Sequence, residues 1–144
     1  MQILIKKLRE NAQIPTRGSS GAAGYDLYAC LDGPVEIKPG ETVRIGTGIT
    51  AAIPDGYFGA CFARSGIAVR QGLRPANCVG VVDSDYRGEY TIALHNDSPD
   101  IQTVQDGERI AQLVIVPFLP LEFQETDWLP DTERGSGGFG STGK

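Results

Sequence analysis

The stretch IAQLVIVPF at residues 110–118 carries the clearest fold signal of the chain, because it is a nearly continuous run of apolar residues. A run of this length between turn signals predicts a strand that is buried on both faces. A second run of this kind, YFGACFA, occupies residues 57–63. The turn signals Pro54-Asp55-Gly56 and Asp106-Gly107 separate the two predicted strands from their neighbours.

Shorter stretches alternate apolar with polar residues, at residues 3–5, 43–45 and 90–94, which is typical of strands with one buried face. Only residues 65–72, SGIAVRQG, favour a helical turn. The 19 glycines and 9 prolines favour many short strands joined by turns. We therefore predict an all-β fold, a sandwich or barrel, over residues 1–130. Residues 131–144 have almost nothing to bury and are predicted to form a mobile arm.

Composition excludes several functional classes. The 144 residues make one domain, and no apolar run approaches the ~18 residues that a membrane-spanning helix needs. The net charge of −5, with 13 basic against 18 acidic residues, disfavours nucleic acid as a partner. A small anionic ligand held by a few arginines remains compatible with this net charge. The first ten residues, MQILIKKLRE, lack an apolar secretory core, so we expect a cytoplasmic protein.

Cysteine and histidine are too few for a protein-based metal site. Cys30, Cys61 and Cys78 form no C-x-x-C pair and match no zinc spacing, so we expect buried, reduced thiols. His95 is the only histidine, which excludes any mechanism that needs a histidine pair.

The segment GVVDSDYRGE at residues 80–89 concentrates polar chemistry after an apolar strand. Asp83 ends that strand, where a rigid scaffold can hold a carboxylate against a water molecule as a general base. The alternative is a polar β-turn in which aspartate makes only local hydrogen bonds. The local sequence does not decide between these two possibilities.

A second polar segment, ARSGIA at residues 63–68, places Arg64 and Ser65 directly after a predicted strand. The guanidinium of arginine suits phosphate oxygens, and the serine hydroxyl and following amides add donors. The alternative is that Ser65 simply caps the helical turn. Gln112 and Asp26 are equally open, either as ligand-binding groups or as structural hydrogen-bond partners.

Five segments in order resemble the motifs of one known family: AGYDL (23–27), ARSGIA (63–68), GVVDSDYRGE (80–89), GERIAQLV (107–114) and RGSGGFGST (134–142). They are similar to the motifs of the homotrimeric dUTPases, the dUTP diphosphatases that yield dUMP and pyrophosphate. The resemblance implies a distorted jelly-roll of the β-clip type with three active sites at subunit interfaces. It also implies that Mg²⁺ is held mainly by the substrate triphosphate. Such an enzyme would keep uracil out of DNA and supply dUMP for thymidylate synthesis.

The resemblance implies a role for each matching residue. Asp83 would be the catalytic residue that activates the water attacking the α-phosphorus, and Tyr86 would pack on the deoxyribose and exclude a 2′-hydroxyl. The residues that would bind uracil are Asn77 at the base edge, Gly80, Val81 and Val82 through their backbone, and Phe139 by stacking. The residues that would bind phosphates are Arg64, Ser65, Gly66, Gln112, Arg134 and Gly138. Asp26 would reach the metal indirectly, through water, and the arm would close over an active site as a lid.

Two rival functions share the implied fold. The dCTP deaminases place a glutamate in a T-L-E-L-x-N setting, whereas residues 91–96 here read TIALHN, with Ala93 at the glutamate's place. A non-catalytic nucleotide-binding trimer would be indicated by loss of Asp83, Arg64 or the arm, and all three are present.

Overall fold

The computed structural model describes residues 2–138, which form eleven β-strands and one short α-helix. The elements in chain order are β1 (Leu4–Lys7), β2 (Tyr25–Tyr28), β3 (Val35–Ile37), β4 (Thr42–Gly46), β5 (Ile49–Ala52), β6 (Tyr57–Phe62), α1 (Ser65–Gln71), β7 (Leu73–Pro75), β8 (Val79–Val82), β9 (Thr91–Asn96), β10 (Gln102–Val104) and β11 (Arg109–Pro117). This arrangement confirms the predicted all-β class and the single helical turn after β6.

The strands pair antiparallel in four sheets, and none of these sheets closes into a barrel within residues 2–138. The largest sheet has the order β2-β11-β6-β8, so the two long apolar runs of the sequence lie side by side at its centre. A three-stranded sheet has the order β4-β9-β7, and the pairs β1-β5 and β10-β3 complete the structure.

The core collects side chains from all of these sheets. Its largest fully buried apolar members are Tyr90, Leu27, Ile37, Ile45, Ile49, Leu73, Leu94 and Ile110. Asn96 is also fully buried, and its side-chain amide donates to the carbonyls of Ile37 and Asp100, each at 2.8 Å. Because these bonds satisfy the amide, the buried polar group ties the end of β9 to β3 without a desolvation penalty.

The expectation that all three cysteines are buried is wrong for Cys78. Cys30 and Cys61 are buried, but Cys78 is exposed at the turn between β7 and β8. Its backbone has a φ of 61°, and its N–H donates to the Pro75 carbonyl at 3.1 Å. The tight turn, rather than the hydrophobicity of the thiol, determines where this residue lies.

The chain changes character after β11. Residues 118–138 contain no strand or helix, although they include several large apolar side chains that are exposed. Phe123 is 99% exposed and Trp128 is 71% exposed. No helix in the described part of the chain is long and apolar enough to cross a membrane.

Candidate functional site

The predicted site residues that precede the arm lie in two separate clefts. The first, here called the Asp83 cleft, has a volume of about 250 Å³ and contains Asn77, Gly80, Val81, Val82, Asp83 and Tyr86 in its walls. The second, the Arg64 cleft, has a volume of about 460 Å³ and contains Asp26, Arg64, Ser65, Gly66 and Gln112. The structure therefore brings the predicted base and sugar residues together, and separately the predicted phosphate and metal residues.

In the Asp83 cleft, a turn after β8 presents the carboxylate. The Tyr86 N–H donates to the Asp83 carbonyl at 3.2 Å, which closes the turn and leaves the Asp83 side chain exposed. The other carboxylate of this wall, Glu89, accepts a hydrogen bond from the Gly48 N–H at 2.7 Å and is thereby engaged with the backbone. Asp83 is consequently the carboxylate that is available to a molecule in this cleft.

The ring of Tyr86 is held from three directions. It stacks on Tyr90, with ring centroids 6.4 Å apart, and its hydroxyl donates to the Glu89 carbonyl at 3.1 Å. Gly88 lies beneath the ring, where an added Cβ would stand 2.3 Å from the Tyr86 hydroxyl oxygen. A residue larger than glycine would therefore displace the ring, so the glycine fixes this wall of the cleft.

Burial raises the pKa of two titratable groups in the wall of the Asp83 cleft. Desolvation raises the pKa of the Tyr90 phenol to about 12. It also raises the pKa of the Cys61 thiol to about 11. Both groups are thus protonated at neutral pH, and the apolar side chains of Val82 and Ile92 complete the wall. Such a cleft suits an uncharged ring with few polar contacts.

In the Arg64 cleft, the charges are organised around one carboxylate. The Arg64 Nε–H donates to Asp26 Oδ1 at 2.7 Å, and the Arg109 Nη1–H donates to Asp26 Oδ2 at 3.2 Å. The Asp26 side chain is only 14% exposed, whereas that of Arg109 is 52% exposed. One carboxylate therefore holds two guanidinium groups at the cleft, and the three groups together carry a net positive charge.

Ser65 and Gln112 complete the wall of the Arg64 cleft. The residue before α1 is Arg64, so Ser65 is the first helical residue and not its N-cap, and its predicted structural alternative does not apply. The Gln112 Nε2–H donates to the Ala63 carbonyl at 2.9 Å. Gly24 lies so close to this amide that an added Cβ would stand 2.3 Å from Gln112 Oε1. The loop before β2 therefore fixes the position of Gln112.

Sequence reasoning missed Arg109, which lines the Arg64 cleft beside Gln112. Strict alternation along β11 places residues 109 and 112 on opposite faces of a sheet. A register shift between Arg109 and Ala111 opposite β2 changes this, because an extra residue reverses the alternation. The GERIAQLV segment contained Arg109, but only the bulge brings it to the cleft.

Asp26 and Asp83 are far apart within one chain, although Cys61 in the wall of one cleft and Phe62 in the wall of the other are consecutive residues. Asp26, Gln112, Phe62 and Val79 lie in one row across the sheet, while Asp83 follows the opposite end of β8. Three interstrand spacings and about four residues of strand separate the Asp26 and Asp83 Cα positions, which is about 20 Å. The two groups of residues therefore do not form one site inside a single chain.

The described part of the arm does not line either cleft. Arg134 Nε–H donates to the Gly137 carbonyl at 2.8 Å within a local turn, and an added Cβ at Gly138 would meet nothing within 4 Å. Phe139 lies outside the described residues.

The predicted Mg²⁺ can be compared with the ligands that the described residues offer. Between residues 2 and 138 there is no group of three or more histidine, cysteine or acidic side chains that could hold a metal ion. Mg²⁺ commonly keeps several waters and binds through one or two carboxylates together with substrate phosphates. A carboxylate accepts about four hydrogen bonds. Asp26 has used two and can still bond to a metal's water, so the residues fit an ion carried by a substrate.

Comparison with known proteins gives concordant results. The family model described as dUTPase matches residues 10–143. The deoxyuridine 5′-triphosphate nucleotidohydrolase of Hydrogenobaculum sp. (strain Y04AAS1) is 47% identical over 143 residues, covering 99% of each chain.

Two solved structures extend these similarities to the fold. A mutant dUTPase of Staphylococcus bacteriophage 80alpha with dUpNHpp has a TM-score of 0.90 at 29% identity, covering 99% of each chain. A mutant dUTPase of phage phi11 of S. aureus, described for its coordination of a structural Mg(II) ion, has a TM-score of 0.79 at 26% identity. It covers 89% of this chain and 98% of its own.

Proposed function

This chain belongs to the dUTPase family and is an enzyme of dUTP hydrolysis, and from this premise we propose how its two clefts divide the reaction. In the proposed reaction, the oxygen of a water molecule attacks the α-phosphorus of dUTP and forms the new P–O bond of dUMP. The bond from the α-phosphorus to the bridging oxygen breaks, and pyrophosphate leaves with that oxygen. The single observation that carries the proposal is the exposed Asp83 carboxylate in a cleft whose other lining carboxylate, Glu89, is bonded to the backbone.

Asp83 is the general base of this proposal. It accepts a proton from the attacking water, and the neutral Tyr90 and Cys61 nearby add no competing charge. Tyr86, held flat by Tyr90 and Gly88, lies against the deoxyribose and leaves no room for a 2′-hydroxyl. Asn77 and the backbone at residues 80–82 contact the uracil edge.

The Arg64 cleft binds the phosphates in this proposal. Arg64, Ser65, Gly66 and Gln112 donate hydrogen bonds to the triphosphate, where preorganised donors stabilise the charge that develops as pyrophosphate leaves. Mg²⁺ carried by the triphosphate would neutralise phosphate charge as a Lewis acid, and Asp26 would hold it through a water.

A deaminase function has no support in this cleft. Ala93 occupies the position at which the dCTP deaminases have a glutamate, and it lies in the wall of the Asp83 cleft. A methyl group at that place supplies neither a proton acceptor nor a donor for an attack on the base.

The active sites are proposed to form between subunits of a homotrimer. The Asp26 and Asp83 Cα positions of one chain lie about 20 Å apart, and a nucleophile must stand ~3–3.5 Å from phosphorus, so the phosphate residues and the Asp83 of the same chain are poorly placed to share one triphosphate. The Asp83 cleft of one subunit facing the Arg64 cleft of another removes this conflict. The exposed apolar side chains of residues 118–129 support association, because a monomer gains nothing from exposing them.

The arm, residues 131–144, is proposed to close over this composite site. Arg134 then pairs with the γ-phosphate, Gly138 approaches the phosphates, and Phe139 stacks on uracil. Closure excludes bulk water and completes the set of donors. In the cell the reaction would keep uracil out of DNA and supply dUMP for thymidylate synthesis.

A panel of dUTP, dCTP, dTTP and UTP, each with Mg²⁺ and with EDTA, tests the reaction and its selectivity together. We expect Mg²⁺-dependent pyrophosphate release from dUTP alone. In ¹⁸O-labelled water the label should appear in dUMP, and label in pyrophosphate instead would contradict attack at the α-phosphorus. Ammonia from dCTP would identify a deaminase, and tight dUTP binding without turnover a binding protein.

A further inference from the structure

We propose that Arg109 is a positioning residue of the phosphate half-site, which acts through Asp26 to hold the guanidinium of Arg64 in place. The inference rests on the proposed function, because it assigns a role within the Arg64 cleft. It concerns a residue that the site prediction did not include.

The side chain and the backbone carbonyl of Arg109 both connect to Arg64. Its side chain occupies Asp26 Oδ2 at 3.2 Å, which leaves Asp26 Oδ1 facing Arg64 Nε at 2.7 Å. Its backbone carbonyl accepts a hydrogen bond from Arg64 Nη1 at 3.4 Å. Arg64 is therefore held at two of its nitrogens, and both attachments pass through Arg109 or through the carboxylate that Arg109 holds.

Electrostatics explains why two arginines are needed around one carboxylate. Asp26 is 14% exposed at its side chain, so an unpaired carboxylate there would be poorly solvated and would rotate towards whatever donor was nearest. A single arginine could claim both carboxylate oxygens in a two-pronged pair and would then have fewer N–H groups for phosphate. With Arg109 on the second oxygen, Arg64 is limited to one, and its Nη2 makes no hydrogen bond within residues 2–138, which leaves that nitrogen to a phosphate in the proposed site.

Local backbone geometry supports a dedicated position for this residue. The register shift between Arg109 and Ala111 opposite β2 brings residue 109 to the same cleft as Gln112. Bulges of this kind redirect a side chain next to a site at the expense of regular pairing. The bulged residue Arg109 thus makes both contacts, one through its carbonyl and one through its guanidinium.

The test compares Arg109→Ala and Arg109→Gln with Arg9→Ala. Arg9 is a matched control because it also pairs with a carboxylate, that of Asp32, and lines neither cleft. We expect Arg109→Ala to lower kcat/KM for dUTP about tenfold, since misplaced donors weaken transition-state binding. Arg109→Gln, which keeps an N–H donor for Asp26, should recover part of this loss. Arg9→Ala should retain full activity.

A double-variant cycle separates positioning from direct phosphate contact. If Arg109 acts through Asp26, then Arg109→Ala should add less than about twofold to the loss already caused by Asp26→Asn. Multiplicative losses of activity in the double variant would overturn the proposal, and so would full activity of Arg109→Ala. The proposal would also be overturned if the thermal midpoint of Arg109→Ala fell further than that of Arg9→Ala and this fall accounted for its loss of activity. Failure of the wild-type protein to hydrolyse dUTP would instead contradict the proposed function, which keeps the two failures distinct.

Discussion

The two clefts of this chain use opposite physical means to hold their functional groups. In the Asp83 cleft, apolar packing, a ring stack and a turn of the backbone hold one exposed carboxylate, while the second carboxylate, that of Glu89, is bonded to the Gly48 N–H. In the Arg64 cleft, a half-buried carboxylate and two arginines fix one another through ion pairs. On the proposed roles, a cleft for a neutral base and a cleft for polyanionic phosphates are built by different physical means, although strands of one sheet line both.

The strongest test of the comparison removes the charge of the first cleft. Asp83→Asn keeps the shape and the turn but cannot accept the proton, so kcat should fall by roughly 10³ while KM changes little. Steady-state pyrophosphate release measures both constants. Near-normal turnover would show that the base lies elsewhere.

Mixing two inactive variants tests whether the clefts of different subunits cooperate. On the proposed arrangement, a trimer made only of Asp83→Asn subunits lacks the catalytic carboxylate at every site. A trimer made only of Arg64→Ala subunits lacks the phosphate-binding arginine at every site. If sites form between adjacent subunits, purified mixed trimers should regain about a third of wild-type activity, because one of the three interfaces in each mixed trimer pairs an intact Asp83 with an intact Arg64. Differently tagged subunits and sequential purification isolate the mixed species. No recovery in purified mixed trimers would mean that each chain completes its own site.

Removal of the arm tests whether the arm closes over the active site. A chain ending at residue 133 should fold, since the strands end at Pro117, and we expect its kcat/KM for dUTP to fall at least about tenfold through loss of closure. Circular dichroism and sedimentation control for fold and assembly. Unchanged activity in the truncated protein would exclude a lid.

Loss of the ring stack tests sugar selectivity in the first cleft. Tyr86→Ala should raise the kcat/KM for UTP relative to dUTP by about tenfold, because the cavity left by the ring admits a 2′-hydroxyl. Tyr57→Ala is a control for loss of a half-buried tyrosine outside this cleft. If UTP stays excluded, another group must reject it.

The smallest expected effect concerns stability at alkaline pH. Burial raises the pKa of Tyr90 to about 12, so its contribution is complete below the unfolded value of about 10 and is lost as the pH rises towards 12. Tyr90→Phe should therefore reduce the fall in unfolding free energy above pH ~10 and change little at neutral pH. Urea unfolding at several pH values measures this, with Tyr57→Phe as the control. An identical alkaline fall in Tyr90→Phe would contradict the assignment.

The sequence predicted much of the fold because periodicity and turn residues act locally. The apolar runs at residues 57–63 and 110–118 became β6 and β11, and SGIAVRQG became α1. It was wrong about Cys78, since a tight turn with positive φ overrode the usual burial of a thiol. It also could not reveal the exposure of residues such as Phe123, because an apolar side chain without its partner surface has the same sequence signal as one in a core.

The sequence by itself determined the family, since the order and spacing of five motifs are properties of the chain alone. Only the tertiary structure decided how their residues are grouped. Strand order puts Asp26, Arg64 and Gln112 in one cleft and Asp83 in another about 20 Å away, because each strand step adds a fixed spacing. Only a bulge in β11 brings Arg109 to Asp26, and a one-residue shift in register is invisible to motif spacing.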